Sequence, residues 1–290
     1  MTQAEKVKQP SLQIPASITK TAKLLEKFAP NLLLKFTAKI FITPIHYPTP
    51  EREKEMISQS IQETCYVDSI KKKVNVYRYQ NLESTKKILL VHGWSGRGTQ
   101  LFSIAKEMAK LGYQVISFDA PAHGKSDGKK SHMKEFIQTI HTINETYGPF
   151  DYMIGHSLGA MSVANALSEG VQTKKAVLIS GGDVVTDVIT EFIDQLKIDR
   201  KFVGKLQRKF EKDFNLKMND YSVSKIAKNI EIPCLVIHDT IDTDVKVDAA
   251  HNIHKNLKNG ELLITEGLGH RKILGDKTVI KEISNFLTNK

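Results

Sequence analysis

The chain has 290 residues, only two cysteines and no long hydrophobic run. Cys65 and Cys234 are far apart, which argues against a disulfide framework and fits a reducing compartment. No apolar stretch is long enough to cross a bilayer. The first residues do not show the basic segment, apolar core and small-residue cleavage site of a secretory signal. From these absences we expect a cytoplasmic protein.

Motifs for nucleic acid and metal binding are also missing. Lysine and arginine outnumber aspartate and glutamate by 42 to 32, which gives a net charge of +10, but the basic residues are scattered singly. No zinc-finger spacing, aromatic RNA-binding motif or arginine cluster occurs, so we expect no nucleic-acid partner. His251 and His254 are three residues apart without a third metal ligand. We therefore expect neither a metal nor an organic cofactor.

From about residue 62 the sequence predicts a β-hairpin with strands 64–67 and 74–79, and apolar strands alternate with helices after it. Because most of these strands lack polar alternation, we expect an α/β fold with a mostly parallel sheet covered by helices on both faces. This rhythm breaks at about 182–230, where two amphipathic helices and no strand are predicted. We interpret that segment as a helical cap over the carboxyl edge of the sheet, where ligands bind in open α/β folds. The predicted strands are 64–67, 74–79, 88–91, 115–118, 152–154, 176–179, 234–237 and 262–264, and the helices lie near 98–111, 132–146, 158–169, 247–257 and 277–288.

The first fifty residues have a different pattern. Residues 1–17 are polar and are expected to be poorly ordered. Residues 18–42 carry apolar side chains at helical spacing around Pro30. We expect a helical extension over 1–50 and a main domain over 51–290. The apolar face must be buried, and we favour docking on the main domain over binding to an anionic membrane. The lysines of its other face are Lys20, Lys23, Lys27, Lys35 and Lys39.

The pentapeptide Gly155-His156-Ser157-Leu158-Gly159 follows a predicted strand and precedes a predicted helix. In that position it is typical of a nucleophile elbow, a sharp turn that exposes the serine hydroxyl. The flanking glycines lack a Cβ atom and so permit the turn. The sequence therefore predicts Ser157 as a nucleophile.

A serine nucleophile needs a base, and the base needs an orienting acid. In proteins with this elbow, the acid and then the histidine follow the serine along the chain. His270 comes after the last predicted strand in the glycine-rich sequence 266–269 and is the expected base. Asp239, Asp242 and Asp244 follow the preceding strand. We choose Asp242, because Asp239 is too close to the strand end and Asp244 is a natural N-cap of the next helix.

Acyl transfer also needs hydrogen-bond donors for the oxyanion. We expect the backbone N–H of Leu158, which begins a helix, and that of Trp94, which follows Gly93 after a strand. His92 is expected to hold its loop by hydrogen bonds. Asp119 and His123 precede Ser157 in the chain, and we expect them to be structural as well.

With these motifs the chain resembles the α/β-hydrolase superfamily over about residues 60–290. The resemblance rests on the segments 91–94, 119–126 and 155–159, on the Asp242 loop and on Gly269-His270. It implies the α/β-hydrolase fold and, because a serine occupies the elbow, an activity like that of esterases, lipases and peptidases. Family members commonly have glycine where Ala122 stands and proline where Lys246 stands.

These observations predict a serine hydrolase that cleaves a small-molecule carboxylic ester through Ser157, His270 and Asp242. The same groups suit a thioester, an amide or a C–C bond, and the sequence does not choose among them. A second hypothesis is a binding or regulatory protein that keeps the fold with little turnover. The oligomeric state is left open.

Overall fold

Eight strands form one sheet in the structure, a computed structural model that describes residues 14–289. Their spatial order is β1-β2-β4-β3-β5-β6-β7-β8. The β1–β2 and β2–β4 pairs are antiparallel and all other pairs are parallel. The predicted α/β class with a mostly parallel sheet is confirmed. The strands are β1 (Ser60–Val67), β2 (Lys72–Tyr79), β3 (Lys87–Val91), β4 (Gln114–Phe118), β5 (Tyr152–His156), β6 (Lys175–Ile179), β7 (Cys234–Asp239) and β8 (Gly260–Thr265).

Twelve α-helices occur within residues 14–289. The predicted helix near 98–111 begins only at residue 102, because the preceding residues form turns. The helices are α1 (Ala16–Phe28), α2 (Pro30–Phe41), α3 (Glu51–Ser58), α4 (Phe102–Lys110), α5 (Met133–Tyr147), α6 (Leu158–Ser168), α7 (Val185–Leu196), α8 (Lys201–Phe214), α9 (Val223–Ile226), α10 (Asp248–Asn256), α11 (Gly269–Lys272) and α12 (Lys277–Thr288). None of these described helices has the length and apolar character needed to cross a bilayer.

The sheet separates two hydrophobic cores. Along β3, Leu89 and Val91 belong to the core beneath α5 and α6, whereas Ile88 and Leu90 belong to the core beneath α4 and α12. This division follows from the alternation of side chains along a strand. Both faces are buried, which explains why the parallel strands are continuously apolar.

A third core joins the N-terminal helices to the insertion between β6 and β7. Ala22 of α1 and Leu33 of α2 are fully buried against α7 and α8, which contribute Ile189, Ile193 and Phe202. Only Ala29 separates α1 from α2, and Pro30 opens α2 at a position where proline is well tolerated. Poor order was expected for residues 1–17, but Ala16 and Ser17 already belong to α1. Residues 1–13 lie outside the described part of the chain.

The topology gathers several loops at one edge of the sheet. Parallel strands end at the same edge, so the segments that follow β3, β5, β7 and β8 come together there. These segments carry Trp94, Ser157, Asp242 and His270 respectively.

Candidate active site

Ser157 occupies a strained turn between β5 and α6. Its backbone angles are φ 54° and ψ −121°, a combination that costs a non-glycine residue roughly 1–3 kcal/mol. A Cβ atom at Gly155 would lie 2.5 Å from the carbonyl oxygen of Gly159, and one at Gly159 would lie 2.4 Å from that of Val91. Both positions therefore require glycine. The Ser157 N–H donates to the Ile179 carbonyl at 2.9 Å, which fixes the turn to β6.

His270 and Asp242 are joined by a short hydrogen bond. His270 Nδ1 lies 2.7 Å from Asp242 Oδ2, and the Asp242 side chain is fully buried. The other carboxylate oxygen accepts the N–H groups of Asp244 and Val245 at 2.9 Å. Burial alone would raise the pKa of Asp242, but hydrogen bonds from His238 and His270 hold it well below its ordinary value. An ionised Asp242 needs a proton on Nδ1, which leaves the lone pair of His270 on Nε2.

The structure places Ser157 and His270 on the lining of one cavity. The Ser157 hydroxyl forms no hydrogen bond with any residue in the range 14–289, including His270. Such bonds are often long in unliganded enzymes and tighten when substrate binds. The glycine-rich sequence had indicated a loop at His270, but this residue lies in the short helix α11.

The segment around the end of β7 that carries Asp242 contains two other aspartates, Asp239 and Asp244, with different surroundings. Asp239 Oδ1 accepts the N–H groups of Ile241 and Gly269, and Oδ2 accepts those of Leu268 and the Thr265 hydroxyl, at 2.7–3.1 Å. Asp239 thus fastens the segment that carries His270, a role that its position at the end of β7 did not indicate. The expected N-cap role of Asp244 is wrong, because α10 begins four residues later, at Asp248.

His156 is a further contact of His270 that the sequence did not reveal. Its Nε2–H donates to the His270 carbonyl oxygen at 2.9 Å, and the two ring centroids are 4.7 Å apart. Burial, together with the nearby His270, holds the pKa of His156 well below its ordinary value. His156 is therefore a neutral donor that fixes the backbone of His270.

The loop after β3 approaches Ser157 closely. A Cβ atom at Gly93 would lie 2.9 Å from the Cβ of Ser157, so only glycine permits this approach. Within residues 14–289, the backbone N–H groups of Trp94 and Leu158 have no hydrogen-bond acceptor. Leu158 is the first residue of α6, where N–H groups lack partners inside the helix.

The remaining polar motif residues hold the loops. His92 Nε2 accepts the Ala120 N–H at 2.9 Å, and His123 Nε2 accepts the Ser95 N–H at 3.1 Å. Asp119 accepts N–H groups of Gly98 and Lys125 at 2.7 and 2.8 Å. These buried contacts tie the segments after β3 and β4 together and agree with the expected structural roles.

An apolar cavity of about 290 Å³ opens beside Ser157. Its walls combine the end of α2, the insertion helices α7 and α8, and the start of α5, with side chains such as Phe41, Val188, Phe192 and Phe214. This volume is close to the lower limit of the range for small-molecule sites, roughly 300–1,000 Å³. Its lining suits a hydrocarbon group.

Glu191 is a carboxylate in this largely apolar wall. Burial raises its pKa to about 7, and Lys246 opposes this shift while the charges of Asp187, Asp242 and Asp244 reinforce it. The group therefore changes charge near neutral pH. Nothing in its sequence context on α7 marked it as a cavity residue.

Asp242, Asp244 and His270 offer donor atoms within 4.8 Å of one another, a spacing that a metal ion could bridge. The closest atoms, His270 Nδ1 and Asp242 Oδ2, already share a hydrogen bond. The donor set is therefore better explained by that bond than by a cation.

Comparisons with known proteins agree with this architecture. A family model of the α/β-hydrolase fold matches residues 86–228, and a model described as TAP-like protein matches residues 217–290. The chain belongs to the α/β-hydrolase superfamily. As an α/β hydrolase it resembles a solved esterase of Pyrococcus furiosus, with a TM-score of 0.67, 21% identity, and coverage of 85% of this chain and 98% of that one.

Two further matches are informative about the range of relatives. A solved bacterial membrane phospholipase A has a TM-score of 0.61 and 15% identity, with 94% of this chain and 97% of that chain covered. A monoglyceride lipase homolog of monkeypox virus is 30% identical over 81 residues. The match covers 25% of this chain and only 29% of the viral protein. At these identities the solved structures establish the shared fold.

Proposed function

We propose that this α/β hydrolase cleaves carboxylic esters, with Ser157 as nucleophile, His270 as base and Asp242 as the acid that orients it. The observation that carries the proposal is the 2.7 Å hydrogen bond from His270 Nδ1 to Asp242, on the same cavity as the strained Ser157. Acyl transfer requires a serine whose hydroxyl is exposed and a histidine that a carboxylate orients, both facing the same cavity.

In the first half of the reaction, Ser157 Oγ attacks the ester carbonyl carbon and its proton moves to His270 Nε2. The tetrahedral intermediate then collapses, and the departing alkoxide takes that proton to leave as an alcohol. In the second half, water loses a proton to His270 and attacks the acyl-enzyme. Collapse returns the proton to Ser157 Oγ and releases the carboxylic acid.

The oxyanion is the species that the surrounding backbone must stabilise. The N–H groups of Trp94 and Leu158 are the proposed donors, since both lack an acceptor within residues 14–289. The close approach at Gly93 brings the first donor's loop to Ser157. Fixed donors of this kind contribute about 3–4 kcal/mol each to transition-state stabilisation.

The apolar cavity supports a substrate with a hydrocarbon acyl group. Its aromatic and aliphatic walls offer few hydrogen-bonding groups, so chain length and shape determine the fit. In this proposal residues 182–230 act as a cap that, with the extension over residues 1–50, completes the acyl pocket of the main domain, residues 51–290. The similar proteins described above, an esterase, a phospholipase A and a monoglyceride lipase homolog, favour the same chemistry.

The test combines a covalent probe with a substrate series. We expect a fluorophosphonate to label Ser157 and p-nitrophenyl esters to be hydrolysed, with kcat/KM rising with acyl length until the cavity is full. Thioester and amide analogues of the best acyl group then define the bond. Ligand binding without labelling or turnover would instead support a binding or regulatory protein.

A further inference from the structure

The paired helices α1 and α2 expose three large apolar side chains to solvent. Leu24, Phe28 and Leu32, which we name the apolar tip, are 60%, 69% and 56% exposed. Leu24 and Phe28 are four residues apart and share one face of α1. Leu32 follows in the first turn of α2. The opposite sides of both helices are buried against α7 and α8, so the helices are firmly packed while the tip has no cover among the described residues.

The helices that carry the apolar tip are rich in lysine. The two helices contain five lysines and one glutamate, and all five lysines are exposed. Within residues 14–289 none of these lysines forms an ion pair, although lysines elsewhere commonly do, as Lys209 does with Asp213. The single acid, Glu26, already accepts the Asp199 N–H at 2.7 Å. Lys27 Nζ lies 5.0 Å from the centroid of the Phe28 ring, so positive charge directly adjoins the tip.

We propose that the α1–α2 pair docks this protein on the surface of an anionic lipid bilayer. The apolar tip enters the boundary of the acyl chains, and the lysines remain among the anionic headgroups. Such a surface offers apolar and anionic contacts side by side, which matches the arrangement of the exposed groups. A second copy fits poorly, because a two-fold interface would bring the same unpaired lysines face to face.

Docking in this way also gives a route for substrate. Ile40, Phe41 and Ile42, at the end of α2, contribute to the cavity wall beside Ser157. Leu32 and Ile40 are eight residues apart, which is about 12 Å along the helix. A lipid acyl ester could therefore pass from the bilayer to the cavity over a short distance. This consequence rests on the proposed ester hydrolysis, whereas the binding itself does not.

The test measures sedimentation of the full chain with vesicles of phosphatidylcholine alone or mixed with phosphatidylglycerol. We expect binding to the mixed vesicles at least about tenfold tighter than to neutral ones, and a clear loss of affinity at about 1 M salt, where the Debye length is about 3 Å. Absence of binding by folded wild-type protein, or equal binding to both kinds of vesicle, would overturn the proposal. Because no turnover is measured, failure of the esterase assignment would leave this result unchanged.

Two sets of substitutions separate the apolar from the electrostatic contribution. The combined variant Leu24→Ser, Phe28→Ser, Leu32→Ser should lose at least about tenfold in affinity for mixed vesicles. Its matched control changes three exposed apolar residues elsewhere, Ile61→Ser, Tyr66→Ser and Leu111→Ser, which are 43%, 50% and 39% exposed. The control should bind like wild type, and both variants should keep the circular-dichroism spectrum of the folded wild-type protein.

A second pair of variants tests the electrostatic contribution. The charge-reversal variant Lys20→Glu, Lys23→Glu, Lys27→Glu should lose affinity for mixed vesicles at low salt. Its control, Lys228→Glu, Lys277→Glu, Lys281→Glu, makes the same change in net charge elsewhere and should keep more of the wild-type affinity. This pair decides the question if the apolar variant fails to fold. Equal binding by each variant and its control would contradict the proposal. The proposal would also be contradicted if the apolar tip joined two copies of the chain. In that case wild type would be a dimer that does not bind vesicles, and the tip variant would be a monomer.

Discussion

His156 holds His270 through a hydrogen bond of 2.9 Å from its Nε2 to the His270 carbonyl oxygen. The two residues are 114 positions apart in the chain, and one directly precedes the proposed nucleophile while the other is the proposed base. A single buried imidazole therefore fixes the distance between the serine turn and α11. The pair shows how a neighbour of the serine can act on the histidine without touching substrate.

Substitution of His156 tests this positioning role. His156→Ala should reduce kcat roughly 10- to 100-fold, because a shift of about 1 Å in a reacting group has this effect, and should change KM little. His156→Gln keeps a donor and should recover part of the loss. Steady-state kinetics with one ester measures both, and an alanine variant with wild-type kcat would contradict the role.

Asp242 and Asp244 form a matched pair of aspartates in one loop. Asp242→Asn should lower kcat/KM by roughly 10³- to 10⁴-fold, because the amide no longer fixes the proton on His270 Nδ1. Asp244→Asn should stay within about tenfold of wild type. Comparable damage from both substitutions would show that the loop, rather than the Asp242 carboxylate, is what matters.

The lowered pKa of Asp242 also predicts how stability depends on pH. The pKa of Asp242 in the folded protein lies below its value in the unfolded chain, which is about 3.9. The ionised carboxylate therefore contributes its full share to the free energy of unfolding above about pH 3.9, and this contribution is lost as the pH falls further. The melting temperature of wild type should therefore exceed that of Asp242→Asn by more at about pH 7 than at about pH 3. A gap that does not narrow in acid would contradict the assignment.

Glu191 has the opposite dependence. Burial raises its folded-state pKa to about 7, so the protonated form favours folding at low pH and this contribution is lost as pH rises through about 7. Glu191→Gln should therefore gain melting temperature relative to wild type between about pH 5 and about pH 9. Thermal melts at the two pH values measure the change, and an unchanged difference in melting temperature would contradict the raised pKa of Glu191.

The strain at Ser157 predicts a trade between stability and activity. Ser157→Gly removes the Cβ atom that makes φ 54° unfavourable and should stabilise the protein by about 1 kcal/mol or more while removing the nucleophile. Ser157→Ala keeps the strain and should leave stability close to wild type. Urea unfolding of the three proteins tests this, and a glycine variant no more stable than the alanine variant would contradict it.

The sequence predicted the parallel strands and the turn at Ser157 because both depend on residues that are neighbours in the chain. The continuous apolar runs of β3–β7 are visible because both faces of the sheet are buried, and the prediction of a mostly parallel α/β fold is confirmed. The glycines around Ser157 identify its turn because a Cβ atom would collide there. Strand ends were less well predicted: β8 begins at Gly260 rather than Leu262.

Long-range contacts could not be predicted in the same way. The partner of Asp239 at Gly269 is 30 positions away, so its fastening role has no local signal. The same holds for His156 and for the place of Glu191 in the cavity wall. The error on Asp244 arose because the residues before α10 form turns rather than an immediate helix start. The assignment of Ser157, His270 and Asp242 as catalytic residues stays a prediction, and labelling and kinetic experiments test it.

The most direct measurement is mass-spectrometric mapping of a fluorophosphonate adduct on wild-type protein, with Ser157→Ala as the control. The account predicts one adduct on Ser157 in wild type, no adduct in the variant, and a loss of ester turnover of about 10³-fold or more in a variant that remains folded. Ester hydrolysis by the purified variant at the wild-type rate, or an adduct at another serine, would contradict the central claim.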